Sequence, residues 1–227
     1  MNRLYFRSCC AAALLFPALG TAAQAALIAF TGTSSDGHAV SATVDFTLAA
    51  GTATVILTNT TATTHDSGEL FTGIDFNFSG LTPSLTSKTG IQRTVTGSGS
   101  FTDTPAVQDL SWSLSSLGSG AYELNFNPNA KDAIIAPPSG SDYSGANGSI
   151  KGNAGHNPFA AVSATFVLSV PGLLATSPVT LTTLRFGTNL DPATSTITVP
   201  EPTCLVLTLA ATALLACRRR RNDTGQK

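Results

Sequence analysis

Residues 43–58, TVDFTLAAGTATVILT, decide how this chain folds. Val44, Phe46 and Leu48 stand at every second position, with Thr43, Asp45 and Thr47 between them. Successive side chains of an extended strand point to opposite faces, so this period sorts the apolar residues onto one side and the polar ones onto the other. Ala53, Val55 and Leu57 repeat the pattern against Thr52, Thr54 and Thr58. Ala49-Ala50-Gly51 lies between the two runs and reads as a hairpin turn, with Gly51 supplying a positive φ. Two antiparallel strands with one buried face each are the expectation.

The same alternation recurs along the chain. Ile74, Phe76 and Phe78 share a face, as do Trp112 and Leu114, and Tyr122, Leu124 and Phe126. Val162, Ala164, Phe166, Leu168 and Val170 form the longest apolar face. Val179 and Leu181 are followed by Leu184 and Phe186, one position out of step. The additional residue at Thr182-Thr183 predicts a β-bulge. Gly97-Ser98-Gly99 and Gly118-Ser119-Gly120 mark further turns. Between Ala26 and Pro200 there are 28 Thr and 22 Ser, while Lys and Glu are scarce. Threonine suits a half-exposed strand, and the surface of a helix has little to be made from.

About eight to eleven short strands and no soluble helix are expected. Strands with one apolar face need a second sheet to cover it. The fold class is therefore all-β: an antiparallel β-sandwich, jelly-roll-like or Ig-like, ahead of a closed barrel. A solenoid would need a fixed repeat, and none is seen.

The charges are segregated. The whole chain is close to neutral, but residues 26–200 hold five basic against eleven acidic residues, a net charge of −6. Nucleic acid is a poor partner for such a body, since phosphate binding needs clustered Lys and Arg. All four cysteines, Cys9, Cys10, Cys204 and Cys217, lie outside it. Neither a disulfide framework nor a cysteine zinc site belongs to the body.

The two ends have their own grammar. Arg3 and Arg7 precede an apolar run, Cys9 to Leu19, and Ala23-Gln24-Ala25 follows as a small-x-small pattern. This is the layout of a secretory signal, with cleavage after Ala25 or Ala26. Polar residues just before Cys9 and Cys10 argue against lipidation. At the other end Val199-Pro200-Glu201-Pro202 leads into the apolar Thr203–Cys217 and then Arg218, Arg219, Arg220 and Arg221. Fifteen helical residues span about 22 Å, short for a hydrocarbon core of about 30 Å. Arginines that snorkel to the headgroups extend the span and fix its orientation, with the body facing outward. The expected organisation is a signal peptide at 1–25, a β body at 26–198, a sorting or anchor segment at 199–221 and a polar stub at 222–227.

Residues Val199 to Arg221 resemble the PEP-CTERM sorting signal: a Pro-Glu-Pro motif, a short membrane helix and an Arg-rich end, in that order. The resemblance implies recognition at Pro200, Glu201 and Pro202 by an exosortase, a transpeptidase-like membrane enzyme of Gram-negative bacteria that make extracellular polysaccharide. It further implies export by the Sec machinery, removal of the tail and a final place at the cell surface or in the matrix, with exopolysaccharide as a possible partner. Gly155-His156-Asn157-Pro158-Phe159 and the strand after it resemble a segment that precedes the anchor in many such proteins.

Residue patterns that carry chemistry are sparse. His38, His65 and His156 show no metal-ligand spacing. His65-Asp66-Ser67 brings together the residue types of a triad, but neighbours in an extended chain point apart, and a turn before Gly68 fits better. No Gly-x-Ser-x-Gly elbow or phosphate loop is present. Asp75 and Glu123 are carboxylates of the kind a glycosidase pairs, on strand faces where solubility explains them as well. Asp132, Asp142, Asn147 and Asn153 are oxygen ligands within Asn127–Phe159, a 33-residue irregular stretch. Calcium is the one cofactor they leave open. That stretch is too long for a plain turn and reads as a solvated surface loop. No catalytic, cofactor-binding or metal-binding residue is assigned. The leading expectation is a non-enzymatic, exported structural or adhesive protein. A carbohydrate-binding module using Trp112 and Tyr143 comes second, and a glycan-active enzyme third.

Overall fold

A computed structural model describes residues 24–34, 36–126, 131–188 and 194–198. Among them lie fifteen strands and a single three-residue 3-10 turn, Ser67–Glu69. The strands are β1 Gln24–Thr33, β2 Ala39–Ala49, β3 Thr52–Asn59, β4 Phe71–Asn77, β5 Ser84–Gly90, β6 Gln92–Val95, β7 Phe101–Asp103 and β8 Gln108–Asp109. They continue with β9 Trp112–Gly118, β10 Ala121–Phe126, β11 Ile134–Ile135, β12 Phe159–Ala161, β13 Ser163–Ser169, β14 Thr180–Phe186 and β15 Thr194–Thr198. The excess over the expected count comes partly from pieces of two or three residues, too short for periodicity to reveal.

Two sheets form. The first runs β15-β1-β2-β3-β13-β5-β8, and every pairing in it is antiparallel. The second runs β7-β6-β12-β11-β4-β10-β9, with β14 also on β4; the β11–β12 contact is its one parallel pairing. Their inward faces share one core, a β-sandwich arrangement. Phe46 of β2 meets Phe76 of β4 with ring centroids 6.0 Å apart, Phe30 of β1 meets Phe186 of β14 at 5.8 Å, and Trp112 of β9 meets Phe166 of β13 at 4.9 Å. Without a disulfide in the body, these buried rings carry much of the cohesion.

The decisive hairpin forms as read. Val44, Phe46, Leu48, Ala53, Val55 and Leu57 are buried, and Ala49 pairs with Thr52 across a turn where Gly51 has φ +74°. The step in β14 is also real: its register against β4 shifts between Leu181 and Thr183. Gly118, Ser119 and Gly120 all have positive φ at the β9–β10 turn.

One strand starts later than its apolar pattern implies. Val162 does not belong to the face of β13. It has φ +65° and sits where the chain leaves β12 in one sheet and enters β13 in the other. Its N–H donates to Ile135 O at 3.0 Å and its carbonyl accepts from Asn59 N at 2.9 Å. Two satisfied backbone bonds at a sheet crossing hold a β-branched residue in a region it seldom occupies.

Residues 131–159 are not a solvated surface loop. Ala133, Ile134, Ile135, Ala136, Tyr143, Ala146, Ile150 and Phe159 are buried, and β11 inserts between β4 and β12. The segment supplies part of the second sheet and of the core.

Candidate functional site

The richest collection of titratable groups lies where β3 hands over to β4. Asn59, fully buried, donates from Nδ2 to Glu69 O and to Ile134 O, both at 2.9 Å, and so ties this corner to the long segment. Asp66 caps the 3-10 turn: its Oδ1 accepts from Gly68 N at 2.7 Å. The Glu69 carboxylate answers by accepting from the backbone N–H groups of His65 and Asp66, which completes a capping box. The expected turn is therefore present.

His65, Asp66 and Ser67 do not form a relay. Asp66 pairs with His38, Nε2 to Oδ2 at 2.7 Å, and Ser67 N donates to Ser149 Oγ. The hydroxyl that does approach His65 belongs to Thr63, 3.2 Å from Nδ1 and 3.3 Å from Nε2. Glu69 Oε1 stands 3.4 Å from the same Nδ1. A proton relay needs the hydroxyl aligned on one ring nitrogen and the carboxylate on the other, and here the hydroxyl stands nearly equidistant from both nitrogens, directed at neither. Thr31, Ser41, Thr61, Thr63, His65 and Glu69 line a shallow depression of about 440 Å³ beside this corner. It offers hydroxyls, but its carboxylate is already engaged by backbone donors.

Asp75 and Glu123 are brought together, directly opposite each other on β4 and β10. They are not there for solubility. Arg185 of β14, opposite Gly73, reaches across β4, with Nη2 2.7 Å from Asp75 Oδ2 and Nε 2.9 Å from Glu123 Oε1. All three side chains are less than one-fifth exposed. The carboxylates share one guanidinium, so neither is placed as an acid or base with room for a sugar between them. Three strands meet here through one charge cluster.

The long segment carries a second clasp. Arg93 of β6 forms a bidentate pair with Asp103 of β7, both bonds 2.7 Å, lies 4.0 Å above the Phe101 ring, and donates from Nη1 to Tyr143 Oη at 2.9 Å. Tyr143 Oη in turn donates to Ala136 O at 2.7 Å. Burial by itself would lower the Arg93 pKa, but the bonds to Asp103 and Tyr143 outweigh it and the guanidinium is raised above its ordinary value. Burial pushes the Tyr143 phenol up, and Arg93 offsets only part of that.

Asp132, Asp142, Asn147 and Asn153, oxygen-bearing side chains of the long segment, each accept a local hydrogen bond. Asp132 is buried, and its two oxygens accept from Gln92 Nε2 and Ser111 N, each at 2.8 Å. Asp142 accepts from Ser144, whose side chain and then backbone N–H lower its pKa, while Asn147 accepts from Ser149 and Asn153 from Gly155 N. Among the described residues no three His, Cys, Asp or Glu stand together as a metal cluster. Trp112 and Tyr143 are both 2% exposed, and Trp112 Nε1 donates to Asp132 O. Neither ring is presented to a sugar.

Asn157 was not singled out by sequence, and it matters most in its motif. It takes the place of a strand residue beside β6: Val95 N donates to its Oδ1 at 2.7 Å, and its Nδ2 donates to Val95 O at 3.2 Å and Asn153 O at 3.0 Å. His156 Nδ1 lies 2.6 Å from Ser149 O, and Phe159 is buried. The Gly155–Phe159 motif is thus a structural latch.

Ala25 and Ala26 fall at the start of β1, two residues or more before its first deeply buried side chain, Ile28. Pro200, Glu201, Pro202 and Arg218 to Arg221 lie outside the described residues. Among the described residues no helix is long and apolar enough to cross a membrane. No protein-family model, curated protein or solved structure matches the chain.

Proposed function

We propose that this chain is an exported, non-enzymatic protein of the bacterial surface or extracellular matrix, delivered by a PEP-CTERM tail. One observation carries the reading: Pro200-Glu201-Pro202, an apolar run of membrane-anchor character and four consecutive arginines follow one another without interruption. Arg3, Arg7 and the apolar run to Leu19 supply the export half of the same itinerary. The Sec machinery and an exosortase are the partners this implies, with exopolysaccharide as the surrounding medium. A structural or adhesive role is supported by where the reactive side chains go. Asp66, Glu69, Asp75, Glu123 and Asp132 are each committed to a cap, an ion cluster or a backbone donor.

The test is processing in an exosortase-bearing host. Changing Pro200, Glu201 and Pro202 to alanine leaves the apolar run intact, so uncleaved, membrane-bound protein accumulates. Changing Arg218 to Arg221 to alanine removes the orientation signal, and the protein is mis-sorted. Export and cleavage of the triple-alanine protein at the parental level would favour a plain membrane anchor instead.

A further inference from the structure

We propose that β15 is a releasable spacer, and that the tail is cut only after this strand peels from β1. The inference rests on the sorting reading above. Among the described residues β15 pairs with β1 alone, through five positions from Ala29 opposite Thr198 to Thr33 opposite Thr194. It is the outermost strand of its sheet. β1 is anchored independently on β2, through the seven positions from Leu27 to Thr33 that remain after signal removal. β15 can therefore leave while the rest of the sheet stays paired.

Chain length supplies the need. Pro200 is the second residue after Thr198, so the motif begins within about 7 Å of the sheet edge. Thr203, where the apolar run begins, is five residues on, at most about 17 Å away. A body of strands up to eleven residues long is tens of ångströms across at about 3.4 Å per residue. Held that close to the bilayer, it stands over the peptide bonds that a membrane enzyme must enclose. Unpairing the five residues of β15 about doubles the reach, adding a further 17 Å or so.

The end of the ladder favours peeling from that side. Among the described residues the ladder between β1 and β15 runs to Ala29 opposite Thr198. Pro200 and Pro202 have no N–H to extend it. The two prolines limit the ladder at the end nearest the tail, where fraying begins.

The experiment staples the strand in the full chain, in an exosortase-bearing host. Thr31 and Thr196 are directly opposite, so T31C/T196C, with Cys204 and Cys217 changed to Ser, locks β15 to β1. The expected result is loss of cleaved product in the double variant, with each single cysteine variant processed like the parent. An eight-residue Gly/Ser insertion between Thr198 and Val199 should restore cleavage to the stapled protein, because it supplies the missing reach. Parental cleavage of the stapled protein overturns the proposal. Failure of the insertion to restore cleavage overturns it too, since the staple would then act by something other than reach. If Pro200, Glu201 and Pro202 prove dispensable, the sorting reading itself has failed, a result that the stapled variants do not produce.

Discussion

Replacing Asn157 with alanine tests whether the Gly155–Phe159 latch is structural. The side chain makes three hydrogen bonds, but they are not equal. Val95 O keeps a donor, Gly152 N at 3.2 Å, and Asn153 O keeps the N–H groups of His156 and Asn157. Val95 N donates only to Asn157 Oδ1, at 2.7 Å, in a residue 1% exposed. The variant strands that N–H, at a cost of about 1–3 kcal/mol for a buried unsatisfied donor. With the small void added, about 2–3 kcal/mol is expected. In a body of this size that lowers Tm by roughly 4–12 °C. Urea unfolding of residues 26–199 reads the change as a lower midpoint at constant m. Asn157→Asp sharpens the test, because it keeps the acceptor and replaces the donor with a buried negative charge facing Val95 O. Burial raises the folded pKa of such a carboxyl, so its stability is intact below the ordinary value near 4 and is lost as pH rises. The aspartate variant should therefore be weaker than the alanine variant at pH 7 and rise above it in acid, where the neutral carboxyl still accepts from Val95 N. An alanine variant within about 0.5 kcal/mol of the parent would refute the latch.

Arg185→Met leaves Asp75 and Glu123 buried without their cation and should cost about 3–5 kcal/mol; adding D75N and E123Q should recover part of it, read from the same urea midpoints. The raised Tyr143 pKa makes stability intact below the phenol's usual value near 10 and lost as pH climbs through the higher folded value. The parent should lose stability above about pH 10 more steeply than Tyr143→Phe, in denaturation series from pH 8 to 11. All the cysteines lie outside residues 26–199, so the melting temperature of that body should be the same with and without reductant.

Local periodicity was enough to read the sheets. Val44 to Leu57 and Ala164 to Leu168 alternate because one face of each strand is buried, and the burial follows residue by residue, whereas Ile74 to Phe78 alternates in sequence although Asp75 on its other face is buried too. Gly51 and the step at Thr182 were legible for the same reason, since a turn or a bulge interrupts a period that is otherwise strict. The reading of the two ends rests on composition alone. The tertiary structure decided what depends on distant residues meeting. Arg185 is 110 positions from Asp75, and nothing in either neighbourhood announces the other; β4 had to lie between β14 and β10 for one guanidinium to reach both carboxylates. Residues 131–159 misled because their burial has no period: their prolines and glycines signal a loop, while Ala133-Ile134-Ile135-Ala136, a short apolar run, was the one local hint of a buried strand. Val162 carries the apolar character of its strand, yet its backbone turns there because β12 and β13 belong to different sheets. A side chain's chemistry is written in the sequence, but its partner is chosen by the packing of the two sheets.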